Sequence, residues 1–154
     1  MTKRIMIFTL VLCVLFSTIV LAQAEIEDTQ DNWVPIELGK GNDDVFYFDK
    51  TSLHYDVDKN GKVNKNIINY REKKVNRNSA TLDEGFYSIT DCKIDLVNQA
   101  LLLGKQTFYK SNGEKRWSET PAYLVWYSVQ PGTMGGTRYA AVAAYAADHS
   151  DQIK

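Results

Sequence analysis

Residues Phe86–Trp117 read FYSITDCKIDLVNQALLLGKQTFYKSNGEKRW, and their alternation decides the fold. Phe86, Cys92, Ile94 and Leu96 are apolar, and Asp91, Lys93 and Asp95 alternate with them toward the end of the run. A period of two places these sets on opposite faces of a strand, one covered and one wet. Asn98-Gln99 marks the meeting of two antiparallel strands, and Asn112-Gly113 marks a second turn. Cys92 is therefore expected to point inward. The chain that follows must supply its cover.

The segment Thr137–His149 (TRYAAVAAYAADH) is dense in alanine, the strongest helix former. Tyr139, Val142, Ala143 and Ala146 fall at i, i+3, i+4 and i+7, so they share one face of that helix. Its small side chains permit close approach to a sheet. The face carrying Cys92, Ile94 and Leu96 is the expected partner.

Upstream, Pro35 lacks a donor, which makes Trp33–Ile36 an edge strand. Val45–Phe48 carries aromatics on both faces and reads as a covered strand, closed by a bend at Asp49-Lys50-Thr51-Ser52. His54–Val57 and Lys62–Val75 flank Asp58-Lys59-Asn60-Gly61, a hairpin signature. Residues 76–85 read as a loop. Tyr123–Val129 alternates strongly and is expected to form another central strand before Pro131-Gly132. The fold class is α+β: a curved antiparallel β-sheet of about six strands with a C-terminal α-helix packed on one face.

Residues 1–24 have the form of a signal peptide: Lys3-Arg4, the uncharged run Ile5–Leu21, then Ala22-Gln23-Ala24. That run of 17 residues exceeds the usual ~7–15, so an uncleaved anchor is the alternative. The polar EIEDTQDN after the small-x-small site favours cleavage, leaving no membrane-spanning segment. Residues 25–32 read as a flexible leader and 33–150 as one domain. The expected location is the periplasm or outer surface of a Gram-negative-type cell.

Charge is unevenly placed. Residues 25–58 hold ten acids against two bases, and residues 59–77 hold seven bases against one acid. The bases Lys59, Lys62, Lys65, Arg71, Lys73, Lys74 and Arg77 are thus candidates for binding an acidic protein surface or a sulfated glycan. Strand alternation divides them between two faces, which weighs toward a solvated edge. The nearby aromatics, Tyr55 and Tyr70, are too few for nucleic-acid stacking.

Chemistry-bearing motifs are sparse. Cys92 is the one cysteine after the signal segment, so no disulfide framework is available, and its inward position predicts a buried free thiol. Asp56-Val57-Asp58-Lys59-Asn60-Gly61 matches the first half of a calcium loop, but Ile67 stands where the closing Glu belongs. A hairpin turn explains it better. His54 and His149 nominate no third metal ligand. Pairing either histidine with a buried Cys92 conflicts with the exposure that a reactive thiol needs. No catalytic residue, metal or cofactor is expected, and the chain reads as a non-enzyme.

The Trp33 strand, Tyr47-Phe48-Asp49-Lys50-Thr51-Ser52, the Tyr87–Lys93 strand with its central Cys92, and Val129-Gln130-Pro131-Gly132-Thr133 before a Tyr/Ala helix together resemble the bacterial surface-adhesin protein E family. The likeness runs over about residues 30–150. It implies an antiparallel sheet with a C-terminal helix on its concave face, binding to host extracellular-matrix proteins such as vitronectin and laminin, and dimer formation. The family commonly ties the central strand to the helix by a disulfide. This chain keeps Cys92 but offers only alanines near Ala143–Ala147, so helix docking must rest on packing. That departure leaves a second reading open: an envelope protein holding a small ligand or a protein partner between helix and sheet.

Overall fold

The computed structural model describes residues 30–38, 44–76 and 85–154. The signal segment, most of the leader and Arg77 lie outside these residues.

Eight strands form one antiparallel sheet: β1 (Trp33–Ile36), β2 (Asp44–Asp49), β3 (His54–Val57), β4 (Val63–Asn76), β5 (Tyr87–Asp95), β6 (Ala100–Tyr109), β7 (Lys115–Glu119) and β8 (Trp126–Ser128). The main order is β1-β2-β4-β5-β6-β7, six of the eight strands where about six were expected. Two short strands extend it, β3 beside β4 and β8 beside β6. β1 lies at one edge, as Pro35 requires. The hairpin closes at Asp58–Gly61, where Asp58 Oδ1 accepts from the amides of Asn60 and Lys62 at 2.8 and 2.9 Å. The bend after β2 is held by Asp49 Oδ1, which accepts from the amide and hydroxyl of Thr51 at 2.9 and 2.7 Å.

The helix α1 (Met134–Asp148) begins earlier than its composition predicts. Thr133 caps it, its hydroxyl accepting from the Gly136 amide at 3.1 Å, so Gly135 and Gly136 sit in the first turn and not in a linker. Gly136 has a steric reason to be there. A Cβ at that position would lie 2.0 Å from Gln130 O.

Alternate residues of the central strands are buried toward α1: Ile68, Tyr70 and Glu72 on β4, and Ser88, Thr90, Cys92 and Ile94 on β5. Val142 and Ala146 of the helix are buried in the same cluster as Cys92 and Ile94. The ring of Tyr145 meets Phe48 edge-on at 5.2 Å. The helix therefore covers Cys92 and Ile94 as expected.

Two expectations need correction. Leu96 is 36 % exposed and not under the helix. The carboxylate of Asp95 accepts from the amides of Val97 and Asn98, both at 2.9 Å, which ends β5 at Asp95 and turns Leu96 outward. The second concerns Tyr123–Val129, which is not a central strand. β7 pairs with Gln106–Tyr109 and β8 with Ala100–Leu102, two ends of the same β6 edge. The chain between them must bridge the gap as a strap. Only Trp126–Ser128 joins the ladder, and nothing among the described residues covers it from beyond.

Candidate functional site

The basic candidates are distributed along β4 and its hairpin. Lys59, Lys62 and Lys65 are exposed around the hairpin tip. Arg71 is paired with Asp49, whose side chain is buried. Lys73 sits over the rings of Trp33 and Tyr87, at 5.1 and 4.6 Å. Lys74 pairs with Asp44 at 2.7 Å. Arg71 and Lys73 share one face of the strand and Lys74 takes the other. Lys65 stands six residues from Arg71, roughly 20 Å along an extended strand. The six described bases therefore do not converge on one patch.

Cys92 is a free thiol, 2 % exposed. Burial pushes its pKa well up, and the Glu72 carboxylate adds to this. Only the thiolate reacts readily, so the native protein is expected to resist a thiol reagent at neutral pH and to label fully once unfolded in urea. It should also migrate as a monomer on a non-reducing gel. Rapid labelling without denaturant would show that the strand does not face the core.

The histidines are not near this thiol in any bonded sense. His54 Nδ1 is 2.8 Å from Ser52 O, and His149 Nδ1 is 2.9 Å from Tyr145 O. Among the described residues, no three His, Cys, Asp or Glu side chains are placed to hold a metal. Asp58 closes the hairpin turn, while Asp56 pairs with Lys93 of β5 at 2.6 Å, so the two carboxylates of the calcium-like pattern serve the turn and the sheet.

The feature that residue types alone did not reveal is a buried ion pair under the helix. Arg138 donates from Nε and Nη2 to the two Glu72 oxygens at 2.7 and 2.5 Å. Both residues are buried. Burial raises the Glu72 carboxyl above its ordinary value while Arg138 pulls the other way. The guanidinium also lies 5.1 Å above the Phe46 ring. Tyr70 completes the buried polar cluster, its hydroxyl without a hydrogen-bond partner among the described residues and its pKa pushed well up by burial. One signal pointed to this. Arg138, Val142 and Ala146 recur every four residues, so the arginine belongs to the apolar face.

Two hollows flank the strap. The helix-side groove, about 510 Å³, runs between the first turns of α1 and the strap, with Glu72, Thr90 and Gln106 on its sheet side. Gln106 reaches this face through a bulge. Leu103–Gln106 of β6 spans the same distance as Thr90–Cys92 of β5, one residue more. Gly104 fits at the bulge, where a Cβ would lie 3.0 Å from Asp91 O. The hollow on the other face, about 790 Å³, lies among Leu53, Leu102 and Leu124 with Arg71, Lys93 and Lys105 also lining it. The strap contributes to both: Tyr123 and Val125 line the groove beside Tyr127 of β8, and Leu124 lines the second hollow.

No family model and no curated protein matches this chain. Two solved structures are similar in fold, both of protein E of Haemophilus influenzae, a member of the family resembled above. One, from a non-typeable strain, is 15% identical over 80% of this chain and 82% of that one, with a TM-score of 0.48. The other is 17% identical over 80% of this chain and 90% of that one, with a TM-score of 0.49.

Proposed function

We propose that this chain is an exported, non-catalytic interaction module whose docking surface is the strap between β7 and β8. The observation that carries this reading is the exposure of five consecutive large apolar side chains on the strap and the start of β8: Tyr123 85 %, Leu124 59 %, Val125 49 %, Trp126 39 % and Tyr127 56 %. A contiguous apolar ledge on a sheet edge is costly to leave in water and is characteristic of surfaces that meet a partner. The buried, high-pKa thiol and the two backbone-tied histidines support a non-catalytic role. Among the described residues no helix is long and apolar enough to cross a membrane. Export rests on the signal-like residues 1–24.

The resemblance to the adhesin family nominates host matrix proteins as the partner class. The test is binding of the chain from Glu25 onward to immobilised vitronectin and laminin, comparing wild type with Leu124→Asp. Saturable binding that the substitution abolishes supports the reading, and no binding to either protein removes the matrix-protein partner. Protease treatment of intact cells tests location: protection behind the outer membrane would exclude a surface adhesin. Sedimentation of the same two proteins shows whether the ledge instead joins two copies of this chain.

A further inference from the structure

We infer that the helix-side groove is a binding site for a short, uncharged saccharide, sharing Tyr123 and Tyr127 with the proposed docking ledge but reached from its helix side. Four charged side chains line it, Glu72 and Glu119 against Lys74 and Arg138. Both cations are already neutralised, Arg138 by Glu72 at 2.5 Å and Lys74 by Asp44 at 2.7 Å. An anionic ligand would therefore meet two carboxylates and no unpaired cation. A cationic ligand would find only Glu119 free of an ion pair, on an exposed strand end. Electrostatics selects a neutral occupant.

The hydrogen-bonding groups left over are of mixed kind. Arg138 spends Nε and Nη2 on Glu72, leaving the donors on Nη1 without an acceptor among the described residues. Gln106 Nε2 donates to Ser88 Oγ at 2.9 Å, leaving Oε1 as an acceptor. Glu119 Oε1 accepts from Trp117 Nε1 at 3.1 Å, leaving its second oxygen. Planar donors and acceptors lining one groove suit hydroxyls, each of which can donate and accept at once. Tyr123 and Tyr127 at the lip add exposed ring faces on which the C–H face of a sugar ring can lie. A groove of about 510 Å³, its lining shared between polar and apolar surface, has the size of a small-ligand site.

The test is a titration of the 15N-labelled chain, from Glu25 onward, with cellobiose, maltose and N,N′-diacetylchitobiose, followed by NMR. Glucuronate and adenosine serve as the charged and the aromatic comparators. At least one neutral disaccharide is expected to give saturable shifts at Gln106, Glu119 and Arg138. Tyr123→Ala and Glu119→Gln, both at exposed positions, are each expected to weaken that binding about three- to tenfold with unchanged melting temperature. No saturable shift with any of the three disaccharides would overturn the inference. So would binding that survives both substitutions undiminished, or tighter binding of glucuronate or adenosine. Loss of protein capture in Leu124→Asp leaves this result untouched, because Leu124 lies on the other side of the strap.

Discussion

Val142→Asp is expected to abolish the cooperative fold at 25 °C, or to leave it so weak that little urea is needed to unfold it. Val142 is 0 % exposed and sits in the cluster that contains Ile94 and Cys92. A carboxylate there would lose its hydration, and the cation one turn away on the same face, Arg138, is already held by Glu72. Even after protonation, a buried polar group without a partner costs several kcal/mol. A domain of this size has only about 5–15 kcal/mol to lose. The control is Ala144→Asp on the same helix, at an exposed position, which should cost only about 1 kcal/mol or less through helix propensity. Ala143, which helical spacing alone places under the helix, is only partly buried, and aspartate there should fall between the two. Far-UV circular dichroism during urea titration measures all three. A Val142→Asp protein as stable as wild type would mean that the helix rests elsewhere.

Arg138→Ala is expected to destabilise the domain by about 3–5 kcal/mol at pH 7, because it strands the Glu72 carboxylate in a buried site. Replacing both residues with methionine should recover most of that loss, since a buried pair gives little net stability over apolar side chains of similar volume. The single variant should also acquire a distinctive pH dependence. Burial already holds the Glu72 carboxyl above its ordinary 4.5, and loss of Arg138 removes the main opposing influence. A carboxyl whose folded pKa is raised binds its proton more tightly in the folded state than in the unfolded state. Stability then falls as pH rises above the unfolded value, so the urea midpoint of Arg138→Ala should increase from pH 7 toward pH 5 relative to wild type. A midpoint that shifts with pH in parallel with wild type would contradict the burial of Glu72.

The fold was legible wherever a single periodicity had one physical cause. Asp91, Lys93 and Asp95 alternating with Cys92 and Ile94 placed β5 and its buried face. Pro35 placed an edge, Asp58–Gly61 a hairpin, and the alanine-rich segment the helix. The strap failed because Tyr123–Val129 has the pattern of a covered strand but no cover. Alternation records which side chains share a face, and it does not record whether another layer lies there. The start of α1 was missed because Gly135-Gly136 reads as a breaker, whereas the close approach of Gln130 demands glycine inside the first turn.

The candidate site was less legible for a related reason. Arg138 and Glu72 stand 66 residues apart, and neither belongs to a local motif. Their pairing exists only once β4 and α1 are superposed. Gln106 reaches the groove because a bulge at Gly104 reverses the alternation of β6, which sequence spacing would have turned outward. The clustered bases of residues 59–77 look like one feature in sequence. In the structure Arg71 and Lys74 are taken by Asp49 and Asp44, while the hairpin carries Lys59, Lys62 and Lys65 away from them.

Both the groove and the buried pair exist only while α1 stays docked on the sheet, and with Cys92 a free thiol that docking rests on contact. Native-state hydrogen exchange of the unmodified chain measures this directly. The amides of Val142–Ala146 are expected to open with the same free energy as those of Ile68, Cys92 and Ile94, the global unfolding value. Helix amides that exchange at a much lower free energy while the strands stay protected would show a helix that comes and goes, and the site with it.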